Sequence, residues 1–202
     1  MKKLRKSKGK KDLVRFLGKK IRRSEKGFLM KLARAAKADE FENESLRSLV
    51  AEYVKTLNVN KGGFIVDLDC SLIGLDNKFI RGMVLPPKLK RFDCSENELS
   101  CLPDKFPQSL KIVNCEGNKI KKLPIMPKKL KILVCGNTLL KKISVPDSLE
   151  ILYCPCCQQL EEIIFQKKSR IRKVYCYNNN LLSKKTIKKL LNLKNNGVFI
   201  FF

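Results

Sequence analysis

Cysteine recurs at positions 94, 115, 135, 154 and 176, in steps of 21, 20, 19 and 22 residues. A self-similarity of this period constrains the fold more than any compositional value. A short unit cannot bury its own apolar residues, so equivalent units must stack. Each cysteine closes the same phrase: Leu89–Phe92–Cys94, Leu110–Val113–Cys115, Leu130–Leu133–Cys135, Leu149–Leu152–Cys154 and Ile171–Val174–Cys176. Three residues on stands Asn97, Asn118, Cys157 or Asn179, followed by Leu99, Ile120, Leu160 or Leu181. The third copy reads one residue tighter, with Asn137 and Leu139 in those roles. The shared pattern is L-x-x-L-x-L-x-x-N/C-x-L.

The spacing carries a physical expectation. The middle apolar residue and the cysteine lie two apart, so on a strand both point to one side, inward. Strands stacked in parallel about 4.8 Å apart would then form interior ladders of leucine, isoleucine and cysteine. The chain must turn sharply after each strand, and an asparagine amide can bond the backbone groups that the turn leaves unpaired. Between strands lie LPDKFPQS, LPIMPKK and SVPDS. Their prolines favour extended segments over helices on the outer side. Upstream, Ile65–Leu68–Cys70 repeats the spacing as a degenerate first copy after Gly62–Gly63.

The ends of such a stack need covers. Residues 11–37 and 39–57 both place apolar residues at helical spacing, which predicts a helical N-terminal cap over 11–61. A second reading of residues 11–24 is a basic amphipathic helix lying on a membrane surface. Ser183 predicts a helix N-cap, Asn195–Asn196–Gly197 a turn and VFIFF a closing strand, together a small C-terminal cap over 184–202. The expected organisation is therefore a basic arm at 1–10, the cap at 11–61, repeats at 62–183 and the C-terminal cap.

The net charge of +25 is unevenly placed, because residues 1–37 carry sixteen Lys or Arg against Asp12 and Glu25. Such a segment attracts polyanions: nucleic acid, acidic membrane surfaces or acidic proteins. Nine cysteines could indicate a secreted disulfide scaffold. The odd count, the length and the lack of an apolar run after the basic start favour a reducing, cytosol-like compartment. No stretch approaches the eighteen apolar residues of a membrane span.

Candidate chemistry is sparse. Cys154, Cys156 and Cys157 form the densest cluster, and with Cys135 or Cys176 they could in principle ligate zinc. Cys154 and Cys157 already fill repeat positions, so core packing is the preferred reading and no metal or cofactor is expected. The chain has no histidine, which removes the usual base for a cysteine nucleophile. Glu161 and Glu162 are adjacent and point apart. These features predict a protein that is not an enzyme.

The strand residues that alternate with the core ladder form the candidate site. Before the middle apolar residue come Arg91, Ile112, Ile132, Ile151 and Lys173, and after it Asp93, Asn114, Val134, Tyr153 and Tyr175. After the cysteine come Ser95, Glu116, Gly136, Pro155 and Tyr177. An apolar and aromatic centre with a polar rim suits a protein partner, whose identity the sequence leaves open. The binding residues expected are Ile112, Asn114, Ile132, Val134, Ile151, Tyr153, Lys173, Tyr175 and Tyr177.

The run from Leu85 to Asn137 resembles the short LPX-type leucine-rich repeats of bacterial effectors of the YopM and IpaH kind. Leu85–Pro86, Leu102–Pro103 and Leu123–Pro124 match the Leu-Pro opening of that repeat. The resemblance implies an α/β leucine-rich-repeat solenoid with a short parallel concave sheet, an extended convex side and a helical N-terminal hairpin. It also implies a protein-binding concave face and possible delivery into a host cell. The ubiquitin-ligase domain of IpaH-type proteins has no counterpart here, and the fourth and fifth copies lack Leu-Pro.

Overall fold

The computed structural model describes residues 13–16, 19–35, 56–75 and 77–202. The chain begins with β1 (Leu13–Phe16), β2 (Lys19–Arg22) and α1 (Arg23–Ala35). After β3 (Thr56–Val59), β4 (Ile65–Asp69) and a short helix α2 (Asn77–Arg81), the repeating part follows. It comprises β5 (Arg91–Asp93), β6 (Ile112–Asn114), β7 (Ile132–Val134), β8 (Lys142–Val145), β9 (Ile151–Tyr153), β10 (Glu162–Phe165) and β11 (Lys173–Tyr175). Helix α3 (Lys184–Asn195) and strand β12 (Phe199–Phe201) close it.

Eight strands form one sheet in the order β12-β11-β9-β7-β6-β5-β4-β3. From β4 to β12 every pairing is parallel, so the chain is a parallel-strand solenoid. The phrase read from sequence sets the register. Leu68, Phe92, Val113, Leu133, Leu152, Val174 and Ile200 lie opposite one another in turn. All seven are buried, as are Cys70, Cys94, Cys115, Cys135, Cys154 and Cys176. Alternation of inward and outward side chains along three-residue strands is enough to place them there.

Three of the turns after strands are held by a buried asparagine amide. The Asn97 side chain donates to the carbonyls of Cys70, Cys94 and Ser95, and its oxygen accepts from the N–H groups of Ile73 and Leu75. Asn118 and Asn179 make the equivalent bonds one and four strands along. Cys157 takes this place in the fourth copy, and its thiol donates to the Cys135 carbonyl at 3.2 Å.

The third copy corrects the expectation. Thr138, not Asn137, occupies the amide position, buried and donating through its hydroxyl to the Cys135 carbonyl at 2.8 Å. Leu140 then fills the following core position. Asn137 has φ of 49° and belongs to a different column. The residue two after the cysteine is left-handed in every copy: Leu72, Glu96, Gly117, Asn137, Cys156 and Asn178. The turn demands that conformation, which glycine and asparagine accept most readily. Leu72, 65% exposed with φ of 59°, gains nothing visible there. Replacing it with glycine is expected to raise stability by about 0.5–1 kcal/mol, read as a higher urea midpoint. In the fifth copy Leu181 is exposed and Leu182 packs on the core instead.

A proline precedes each of four strands by a fixed interval, at Pro86, Pro107, Pro127 and Pro146. Its carbonyl accepts from the N–H of Leu89, Leu110, Leu130 or Leu149 at 3.0–3.1 Å. The spacing Pro-x-x-Leu thus marks a tight turn into the strand, and it survives in the fourth copy where Leu-Pro is lost. On the other side of the core β8 and β10 pair in parallel as a separate two-stranded sheet.

The N-terminal cover differs from the expected pair of helices. Residues 13–16 and 19–22 form two antiparallel strands rather than a helix, and helix begins at Arg23. This also removes the membrane-surface helix read over 11–24. Gly18 in the sequence disfavours a continuous helix across this segment. Of the second helix read over 39–57, residues 39–55 lie outside the described residues, and 56–59 form β3, which pairs antiparallel with β4. Ile21, Leu29 and Leu32 are buried in the same core as the repeats. Glu25 accepts the Ile65 N–H at 3.1 Å, while Arg22 bonds the carbonyls of Gly62 and Gly63 and covers the Phe64 ring.

At the other end Ser183 caps α3, accepting the Thr186 N–H at 3.2 Å. Leu190 is buried beneath the helix, and Gly197 turns the chain at φ of 85° into β12. Among the described residues no helix is long and apolar enough to cross a membrane.

Candidate functional site

The strand positions that are not inward form the open face of the eight-stranded sheet. One column runs Asp67, Arg91, Ile112, Ile132, Ile151, Lys173 and Phe199; the next runs Asp69, Asp93, Asn114, Val134, Tyr153, Tyr175 and Phe201. Parallel in-register stacking brings each residue about 4.8 Å from its column neighbours, so the two columns make one continuous surface. Ile112, Asn114, Ile132, Val134, Ile151, Tyr153, Tyr175 and Tyr177 are half-buried, and Lys173 is exposed. The structure therefore brings all nine sequence-derived candidates onto one face.

The face changes character along the stack. At the β4–β5 end Arg91 bridges Asp67 at 3.4 Å and Asp93 at 3.0 Å. Asp93 also accepts from the Ser95 hydroxyl at 2.7 Å and from the Asn114 amide at 3.0 Å. Asn114 is thus fixed by its neighbours, which makes it part of the scaffold under the face as much as a contact. Burial, with Glu96 and Asp93 nearby, holds the Glu116 carboxyl above the usual range. A carboxyl raised in the folded state binds its proton more tightly than in the unfolded chain. Its ionisation therefore costs stability as pH rises from the ordinary glutamate range through the raised value. Glu116→Gln is expected to flatten stability across that interval, a change that urea midpoints on the acid side of neutrality would reveal.

The middle of the face is aliphatic, with Ile112, Ile132, Ile151 and Val134 in contiguous register. Beyond it the surface becomes aromatic. Tyr153 lies 5.6 Å from Tyr175 and 6.3 Å from Tyr177 between ring centroids. Tyr175 meets Phe199 at 5.5 Å and Tyr177 meets Phe201 at 5.3 Å, in tilted or edge-on geometry. Such arrangements suit the quadrupoles of the rings. The Tyr153 and Tyr177 hydroxyls are 2.8 Å apart, and that hydrogen bond, with burial, pushes the Tyr153 hydroxyl up to about 12.

Phe199 and Phe201 are site residues that the repeat reading missed. They are 52% and 51% exposed, and only Ile200 of that strand packs inward. The signal was present: Phe199–Ile200–Phe201 repeats the out-in-out order of Lys173–Val174–Tyr175. It was hidden because β12 lacks a following cysteine.

The thiols are placed for packing. All nine cysteines are free, and burial raises Cys94, Cys135 and Cys154 well above the ordinary thiol range and Cys176 to about 11. Cys154 and Cys157 are buried, whereas Cys156 is half-buried in the left-handed turn, with the Asn178 amide donating to its sulfur at 3.6 Å. Among the described residues no group of three or more acidic or cysteine side chains is arranged to hold a metal ion. Thiol alkylation of the native protein at neutral pH should label Cys101 and Cys156 first, as peptide mass spectrometry would detect. Early labelling of Cys115 or Cys135 would contradict the packed core.

Comparison with known proteins gives no kinship: no protein-family model matches the chain, and no curated protein matches it.

Proposed function

We propose that this chain is a leucine-rich-repeat binding protein, not an enzyme, that holds a partner protein against the open face of its sheet. One observation carries the reading. An aliphatic centre at Ile132, Ile151 and Val134 runs without interruption into the cluster of Tyr153, Tyr175, Phe199 and Phe201. Contiguous exposed apolar surface of this kind marks interaction sites, and tyrosine is frequent among residues that dominate binding energy. The Arg91–Asp67–Asp93 network supplies a polar rim at one end. In this reading the concave curvature of a leucine-rich-repeat stack wraps the partner, and the effector-like repeats place that partner in a host cell.

The test is affinity capture with the parent chain and with Ile132→Glu and Tyr153→Glu. Both side chains face outward but are half-buried, and Tyr153 also bonds Tyr177, so the variants should remain folded with modestly lowered urea midpoints. Each should lose the partner by about 30-fold or more, the equivalent of about 2 kcal/mol at a dominant contact. Capture of the same partners at undiminished yield would sink the proposal.

A further inference from the structure

On the side of the core where β8 pairs with β10, two adjoining depressions of about 680 and 620 Å³ share Lys142. Lys121, Lys122 and Lys141 edge the first, above Met126 and Val145. Lys185, Lys188 and Lys189 of α3 edge the second, beside Ile164 and Phe165. Only two carboxylates line the pair, Asp147 and Glu162, and Glu162 is held by Lys142 at 2.8 Å. Among the described residues the other six lysines take part in no ion pair. Lys185 lies close enough to Glu162 to help lower its carboxyl, and the other five leave the surface with a net positive charge.

Charge alone would suit any polyanion; the aliphatic side chains among the lysines narrow the choice. Ile125 stands at the rim of the first depression with 93% of its surface exposed. On α3, Leu191 is 47% exposed, and helical spacing sets it beside Lys188. A phosphodiester backbone offers such aliphatic groups nothing. A bilayer takes both features at once, with ammonium groups at the headgroups and aliphatic tips at the acyl boundary. The one ring lining either depression, Phe165, is half-buried against the core and presents no stacking platform for bases.

We propose that this surface docks the protein on an anionic lipid bilayer. Lys121, Lys122, Lys188 and Lys189 meet the headgroups, and Ile125 and Leu191 enter the interface. The open face of the eight-stranded sheet, across the core, then points away from the membrane and stays accessible. The proposal rests on different residues from the partner-binding reading and stands or falls separately from it.

The chain contains no tryptophan, so Ile125→Trp or Leu191→Trp in the full chain installs a single indole at the contact. Each reporter is mixed with vesicles of phosphatidylcholine alone and of phosphatidylcholine with phosphatidylserine. The expected result is a blue shift, with quenching by brominated acyl chains, only where phosphatidylserine is present, and weakening as salt rises. Adding Lys121→Glu, Lys122→Glu, Lys188→Glu and Lys189→Glu to the Ile125→Trp reporter should reduce binding at least 100-fold. Each lysine near an anionic surface contributes roughly five-fold. An unchanged urea midpoint in that variant would show that charge, not unfolding, caused the loss. Vesicle binding with both indoles unshifted, as contact through the basic N-terminal segment alone would give, overturns the proposal. An indole shift produced by duplex RNA or DNA but not by the vesicles overturns it too.

Discussion

Asn118→Ala is expected to lower stability by about 3 kcal/mol or more, among the largest losses available to a single side chain here. The Asn118 amide donates to the carbonyls of Cys94, Cys115 and Glu116 at 3.0–3.1 Å. Its oxygen accepts from the N–H groups of Asn97 at 3.3 Å and Leu99 at 2.8 Å. Four buried backbone groups and the part-buried Glu116 carbonyl, on two successive turns, would lose a partner, and the side chain itself is only 3% exposed. An unmade buried hydrogen bond costs about 1–3 kcal/mol, and the groups share the loss as the turn relaxes. Thr138→Ala should cost roughly 1 kcal/mol, because that hydroxyl contacts only the Cys135 carbonyl and the Cys157 sulfur. Urea denaturation followed by circular dichroism would rank the two variants. Equal midpoints would mean that the amide ladder does not hold the turns.

Leu133→Ala is expected to cost about 3–4 kcal/mol, whereas its neighbour Val134→Ala should cost less than about 1 kcal/mol. Leu133 is fully buried, flanked in register by Val113 and Leu152, and its removal leaves a cavity that neighbouring rungs can collapse into only partly. Val134 lies half-buried on the open face, so truncation removes far less packing. The order should reverse for binding: Val134→Ala weakens capture of the partner, while folded Leu133→Ala captures it normally. Equal stability losses at the two sites would refute the assignment of one residue inward and the other outward.

The repeating half of the chain was legible because period and alternation act together. Leu89–Phe92–Cys94 and its four equivalents identify the inward side, and equal spacing allows only one parallel register, the one observed. The third copy departs from the motif because threonine stands three residues after Cys135, with asparagine one position before it. A hydroxyl can satisfy the same carbonyl, while asparagine is equally at home in the left-handed position next to it. The fifth copy departs too, since Leu182 follows Leu181 and the helix at Ser183 pulls the second leucine inward. The N-terminal hairpin was not legible: in residues 13–22 basic residues interrupt both helical and strand periodicity, and its two strands pair with each other.

The sequence by itself determined which strand residues face inward, the register of the sheet and that the nine candidate residues share one face. Those follow from local geometry, in which the same two-residue alternation recurring every 19 to 22 residues has a single way to stack. Only the tertiary structure decided what completes that site and what lies behind it. Phe199 and Phe201 join the aromatic cluster because α3 folds back and delivers β12 to the edge of the sheet. The second lysine-lined surface exists because β8 and β10, twenty residues apart, pair across turns and α3 packs beside them. A local pattern gives the out-in-out order of β12 but not its place at the sheet edge, and the β8–β10 pairing has no local pattern at all, since both depend on where distant segments meet around the common core.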